Sequence, residues 1–200
     1  MAGGARVNGT FSAIIVEPMG EATTEDYSTL IASNLTIALG IDEITEFEEI
    51  TFAGQDARTF NTDAYVEGVP FHYRFITFIY KGFGYQLVSW HTKTPGKTKD
   101  PGLAEFTDCF SLLPGQPTLP PVEALPDNVA QAGRLKDGRF ESGVFKFALS
   151  PTRNWRVMAG PSLQNMSAEA RAGLEGGPTQ ASLTHHTPAE RLGSTVPYTS

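Results

Sequence analysis

The chain has a single cysteine, Cys109, so it can form no internal disulfide. Nothing therefore marks its compartment as oxidising. Positive charge is scarce: 15 Lys and Arg stand against 22 Asp and Glu, a net charge of −7. Phosphate contacts need clustered Lys and Arg, which argues against a nucleic-acid partner. The one local basic group, Lys93, Lys97 and Lys99, lies among Pro, Gly and Thr and reads as a solvated loop. No apolar run approaches the roughly 20 residues that span a bilayer. The opening MAGGARVNGTF has no apolar core and is no secretory signal. These features favour a cytoplasmic compartment, with the reservation that the chain begins and ends abruptly, as a piece of a longer protein would. Catalytic signatures are missing too. There is no Gly-x-Ser-x-Gly elbow and no His-Glu-x-x-His, and Gly82-Phe83-Gly84 lacks the strand-then-helix setting of a phosphate loop. No cofactor and no metal is predicted.

What the sequence does have is a dense β-rich centre, PFHYRFITFIYKGFGYQLVSWHT, at residues 70–92. Two runs, 71–80 and 85–92, are joined by Lys81-Gly82-Phe83-Gly84 and are rich in residues that suit a half-buried pleated surface. Alternation puts Phe71, Tyr73, Phe75, Thr77 and Ile79 on one face. His72, Arg74, Ile76, Phe78 and Tyr80 take the other. The first face is almost wholly apolar and the second becomes so past Arg74, which predicts central strands of an antiparallel sheet, covered fully on one side and partly on the other.

The flanking segments give an α+β class, an antiparallel meander with helices packed on it. Residues 10–17 (TFSAIIVE) read as a strand, closed by Pro18 and Gly20. A helix follows, capped by Thr23 or Thr24, with Glu25 and Asp26 in its first turn, an apolar stripe through Tyr27, Leu30, Ile31, Leu35, Ala38 and Leu39, and Gly40 at its end. Residues 43–52 and 55–66 alternate as strands, with Ala53-Gly54 and Glu67-Gly68 as turns. Residues 94–102 read as a loop. Asp100-Pro101 starts a second helix, in which Leu103, Phe106, Cys109 or Phe110 and Leu113 recur at helical spacing. A buried Cys109 is a small hydrophobe there, and no base for a nucleophilic thiol is visible. Residues 116–137 read as a proline-rich linker between a domain at 10–115 and a segment at 138–200. Within the latter, 140–150 alternates as one strand, 154–158 is its hairpin partner, 167–174 forms a short helix, and the tail from 188 is mobile.

Candidate binding groups are Tyr73, Arg74, Tyr85 and His91, set around a pocket between the sheet and the first helix. If the central turn pairs Tyr80 with Tyr85, His72 falls opposite Lys93 and His91 opposite Arg74. Both histidines then read as rim residues, because no third ligand is visible and Arg74 would repel a cation. His185 and His186 are adjacent and share no face, so they read as surface residues. Glu43, Glu46, Glu48 and Glu49 make a solvated acidic strand face.

The wording AIIVEP, EDYSTLIASNL, EEITFAGQDARTF, GVPFHYRFITFIYKGFGYQLVSW and FTDCFSLL, in the order strand, helix, meander, helix, resembles the PsbP-like fold. That family takes in the extrinsic photosystem II protein PsbP, the Ran-binding Mog proteins and the bacterial DcrB group of chaperones. The DcrB group is the nearest in style, through Glu25-Asp26-Tyr27, Gly54-Gln55-Asp56-Ala57, Phe71-His72-Tyr73-Arg74 and Gly84-Tyr85-Gln86-Leu87. The resemblance covers residues 10–115 and implies an α/β/α sandwich that binds other proteins. It also implies an opening hairpin ahead of the strand at 13–16, which nothing before Thr10 supplies. Residues 144–158, VFKFALSPTRNWRVM, look like that hairpin, with Trp155 at the family's tryptophan position. Either they open a second copy of the fold, or they are an unrelated hairpin.

Two functions are open: a non-catalytic protein-interaction or chaperone-like module receiving a helix or peptide on an apolar sheet face, and a small-ligand or enzymatic domain using the pocket. An unpaired strand edge recruits strands. Residues 144–158 are therefore expected to complete the first sheet, in cis or by hairpin exchange in a dimer, with Trp155 buried against Ile14 or Phe78. A chain cut near Pro121 should accordingly lose stability. Residues 1–116 melting like the whole chain would rule this out.

Overall fold

Two-residue turns set the frame of the molecule. Ala53-Gly54 (φ 50° and 76°), Lys81-Gly82 (52° and 77°) and Asp137-Gly138 (50° and 77°) are left-handed at both positions, the geometry whose twist matches that of paired strands. Residues 2–6, 10–41, 44–66, 68–93, 102–118, 133–150, 152 and 155–158 are described in the computed structural model. In chain order they form β1 (Ala2–Arg6), β2 (Thr10–Pro18), α1 (Thr24–Leu39), β3 (Glu48–Phe52), β4 (Gln55–Val66), β5 (Val69–Tyr80), β6 (Phe83–Thr92), α2 (Gly102–Asp108), β7 (Phe110–Leu112), β8 (Arg134–Lys136), β9 (Arg139–Ser142), β10 (Phe147–Leu149) and β11 (Trp155–Met158).

The class is α+β. A seven-stranded antiparallel sheet runs β11-β1-β2-β6-β5-β4-β3, and a four-stranded antiparallel sheet runs β7-β10-β9-β8. The meander β3 to β6 is the expected one, with β5 and β6 central. Helix α1 begins at a capping box, Thr23 accepting from the Asp26 amide while the Asp26 carboxylate accepts from the Thr23 amide, and it ends on Gly40 in the left-handed conformation. Its Tyr27, Ile31 and Leu35, spaced four apart, pack on Phe11, Phe60, Tyr73, Phe75, Val88 and Trp90 of the sheet. On that face Phe60 stacks on its register partner Phe75 at 4.8 Å. A buried hydrogen bond of 2.8 Å joins Ser28 to Thr77.

The opposite face divides at Arg74, as its alternation predicts. Ile14, Ile76, Phe78, Tyr85 and Leu87 are buried against Phe106, Phe110, Phe140, Phe147 and Leu149 of α2 and the second sheet. The Tyr85 hydroxyl donates to the Phe145 carbonyl. Gly84 has no room for a side chain, because a Cβ there would lie 2.6 Å from Cζ of Tyr27. Gly84 pairs with Ile79 and Glu17, which puts it inside β6 rather than in a four-residue turn.

Several expectations are corrected. Only Lys81-Gly82 forms the central turn, so Tyr80 pairs with Phe83 rather than Tyr85. The helix predicted through Leu113 stops at Asp108, and residues 110–112 are strand β7, paired with β10. Apolar residues at 106, 109, 110 and 113 satisfy a helical period, while 110 and 112 also satisfy a strand period, and pairing with the second sheet decides. Residues 140–150 are two strands, β9 and β10, joined by a turn. Arg134–Lys136 is a strand within the stretch read as linker. Gly115 and Gln116 are tied to the central turn, through the Lys81 ammonium on the Gly115 carbonyl and the Gln116 amide on the Lys81 carbonyl, both 2.9 Å.

The region before Thr10 does supply a strand: β1 pairs with β2 from Ala2↔Ile14 to Ala5↔Phe11. The segment 144–158 is not one hairpin. Its β10 joins the second sheet, while β11 pairs with β1 from Gly3↔Met158 to Arg6↔Trp155, extending the first sheet within the one chain. The Trp155 side chain, the loop 94–101, the helix expected at 167–174, His185, His186 and the tail lie outside the described residues.

Phe75 is fully buried at the crossing of α1 and the sheet, whereas Ile37 on the outer side of α1 is 81% exposed. Phe75→Ala should cost about 3–5 kcal/mol of unfolding free energy. Ile37→Ala should stay within about 0.5 kcal/mol. Denaturant titration of both variants checks the pair.

Candidate functional site

The half of the second sheet face beyond Arg74 carries a polar row. Three adjacent strands bring Asp63 opposite His72 and His72 opposite His91, and β2 continues the row with Thr10 opposite His91. One step along lies a second row, Asn61, Arg74, Ser89 and Ser12. Ser12 and Ser89 are buried and share a hydrogen bond of 2.6 Å. The register is the reason for the grouping. Two-residue turns on both sides of β5 fix which side chains meet, and His72 and His91, expected to be offset, become direct partners with ring centres 5.5 Å apart.

Asp63 organises this row. Its Oδ1 lies 2.7 Å from His72 Nδ1, and its Oδ2 accepts from the Lys93 ammonium. Partial burial pushes the Asp63 carboxyl up, but the hydrogen bonds and charges of Lys93 and His72 outweigh it and hold the group below the usual carboxylate range. The same contact raises Lys93. His91 Nδ1 lies 3.0 Å from the Thr92 carbonyl oxygen.

Beside the row, a cleft of about 630 Å³ opens at the C-terminal end of α1, lined by Leu39, Ile41, Ile44, Tyr65 and His72 among others. One wall is the edge of β4. Strand β3 pairs with β4 only as far as Thr59, and Thr45 then takes both backbone groups of Asn61. Among the described residues nothing pairs with β4 beyond that point. By alternation the N–H and C=O of Asp63 and Tyr65 point the same way as those of Asn61, out of the sheet. Tyr65 itself is 75% exposed.

The four residues expected to line one pocket are not brought together. Tyr73 is buried on the α1 face, where burial raises its hydroxyl pKa. Tyr85 is buried on the other face beneath the second sheet, and burial followed by the charge of Tyr80 raises its hydroxyl likewise. Arg74 and His91 lie in the polar rows. The space between α1 and the sheet is filled by core side chains, so the cleft lies at the helix end instead. Asp63, His72 and Lys93 were missed as a group. The signal was the Glu67-Gly68 turn, which sets Asp63 opposite His72 once it is counted as two residues. Cys109 is buried, donates to the Glu105 carbonyl at 3.0 Å, and has its thiol pKa raised by burial, which disfavours the nucleophilic thiolate. Glu49 of the acidic strand face pairs with Arg58, which also reaches Glu25. Among the described residues no three His, Cys, Asp or Glu gather at one point, and no helix is long and apolar enough to cross a membrane.

No protein-family model and no curated protein matches the chain. A solved structure, that of protein PA94 of unknown function from Pseudomonas aeruginosa, is similar at 14% identity and a TM-score of 0.42. The match covers 46% of this chain and 69% of that one. A likeness so distant carries no argument about fold or function.

The folded Asp63 carboxyl lies below its unfolded value, so its contribution is present above the unfolded carboxyl range and is lost as pH falls through the lowered folded value. Asp63→Asn should therefore destabilise the protein at neutral pH. The cost is at most about 1 kcal/mol, since the pair is exposed and screened. The difference from wild type should close below about pH 4, near the unfolded pKa and beneath it. Melts across that range read it directly, and a difference that stayed constant would exclude the ion pair as its source.

Proposed function

We propose that this chain is a non-catalytic binding module that takes an extended segment of a partner protein along the open edge of β4. One observation carries the reading: among the described residues Asp63 to Val66 has a strand partner, β5, on one side only, and the other side faces a cleft lined by Leu39, Ile41, Ile44 and Tyr65 together with polar groups such as Asn61 and His72. Backbone groups that point out of a sheet edge form a template for an added strand, and the apolar part of the lining gives alternate side chains of the guest a place to bury. Tyr65, large and exposed at the rim, supplies an aromatic contact of the kind that dominates such interfaces.

An apolar sheet face as the docking surface is less well supported, because α1 covers one face and the second sheet covers the apolar half of the other. The resemblance of residues 10–115 to the PsbP-like proteins, a family that mostly binds other proteins, points to a binding role as well. The small-ligand alternative has less support, since the polar groups it requires lie on opposite faces of the sheet.

Amide exchange tests the reading. In the free protein the Asp63 and Tyr65 amides should exchange quickly, while those of Thr62 and Ala64, which face β5, stay protected. Peptides selected from a random library against the whole chain should slow exchange at Asp63 and Tyr65. N-methylation at alternate peptide positions should abolish their binding. Selected peptides that leave both amides fast would refute edge pairing.

A further inference from the structure

We propose that His72 and His91 form a binding site for one late transition-metal ion of the Zn²⁺ class, ligated through Nε2 of both imidazoles. Three observations carry it, independently of the peptide-binding reading.

The first is separation. The two rings are cross-strand partners with centres 5.5 Å apart and planes inclined at 50°. Two imidazoles sharing a tetrahedral ion, each nitrogen about 2.0–2.1 Å from it, have ring centres about 5 Å apart. Side-chain rotation has to close the difference between the two separations.

The second is the state of the nitrogens. His72 Nδ1 faces the Asp63 carboxylate at 2.7 Å, and an ionised carboxylate only accepts, so Nδ1 carries the proton. His91 Nδ1 faces the Thr92 carbonyl oxygen at 3.0 Å, which also only accepts. A neutral ring that carries its proton on Nδ1 keeps the lone pair on Nε2, and that is the form a metal ion binds. A carboxylate or carbonyl behind each ring is the arrangement that fixes tautomer and orientation in metal-bound histidines.

The third is the donor set, which selects the class of ion. Arg74, on the same face one row away, works against any cation here, while the Lys93 charge is answered by Asp63. The Asp63 oxygens are engaged by His72 and Lys93, and no other carboxylate stands in the row among the described residues. Mg²⁺ and Ca²⁺ need several oxygen ligands. Zn²⁺, Cu²⁺ and Ni²⁺ bind neutral imidazole nitrogen well. Water fills the remaining positions. An anion would instead require Nε2–H donors on both rings, and hence two charged imidazoles in contact.

The experiment is a calorimetric titration of the whole chain with ZnCl₂ near neutral pH, joined to NMR of the imidazole nitrogens. One ion should bind per chain, and the Nε2 resonances of His72 and His91 should shift while their Nδ1 resonances stay protonated. His72→Gln with His91→Gln should abolish this binding, and Asp63→Asn should weaken it about 10–100-fold. His185→Gln with His186→Gln should leave it intact, and excess MgCl₂ or CaCl₂ should not compete. Nε2 resonances that ignore Zn²⁺, that respond to inorganic phosphate instead, or Zn²⁺ binding that vanishes only with His185 and His186, would overturn the proposal. The resonances are read on the wild-type chain, so the outcome does not depend on the variants folding.

Discussion

The register of β5 against its two neighbours is the constraint on which everything else in this molecule rests. A strand buried on both faces has no solvent side to absorb an error, and a slip by one residue would exchange its faces completely. Phe75 would then leave α1, and the side chain of Arg74 would enter the core. Two-residue turns forbid the slip: Lys81-Gly82 pairs Tyr80 with Phe83, and the turn after Val66 pairs it with Val69. Once those closing pairs are made, the stack of Phe60 on Phe75, the stack of Phe78 on Tyr85 at 4.9 Å and the Asp63, His72 and His91 row follow together. Core and candidate site are set by the same two turns.

The second sheet shows why the other face divides where it does. Strands of three or four residues bury little by themselves. Here Phe140, Phe147 and Leu149 close on Phe78, Tyr85 and Leu87, and the hydroxyl of Tyr85 reaches into the turn between β9 and β10. The cover ends where β5 changes from Ile76 to Arg74. A layer of apolar side chains extended past that point would meet a guanidinium and two imidazoles, groups costly to bury without partners. The polar rows begin at that boundary.

Much of this was readable from residue order. The alternation of 71–80 announces a doubly covered strand, and Thr23, Asp26 and Gly40 mark the limits of α1. The N-terminal strand was hidden, because Ala-Gly-Gly-Ala-Arg has low strand propensity and its pairing is imposed by the edge of β2. The second sheet was hidden for a related reason: Cys109 to Leu113 satisfies two periods at once, and long-range pairing decides between them. For the site, parity alone separates Tyr73 from Arg74, since neighbours in a strand face opposite ways. The histidine pair depended on one detail, whether Gly84 belongs to the turn or to the strand, and its pairing with Ile79 puts it in the strand.

The pairing of Gly3 with Met158 has a consequence in time. Strand β1 lies between β2 and β11, so one of its two neighbours is synthesised directly after it and the other only after all the elements between them. At synthesis rates of about 5–20 residues per second, β11 follows β1 by on the order of ten seconds. Through that interval β2 and β1 can pair while the outer side of β1 stays bare, a glycine-rich edge beside a growing sheet. Contacts between distant parts of a chain also form slowly once both ends are present. Strand β11 therefore acts as a cap on β1, and crowding of nascent chains should matter most before it docks.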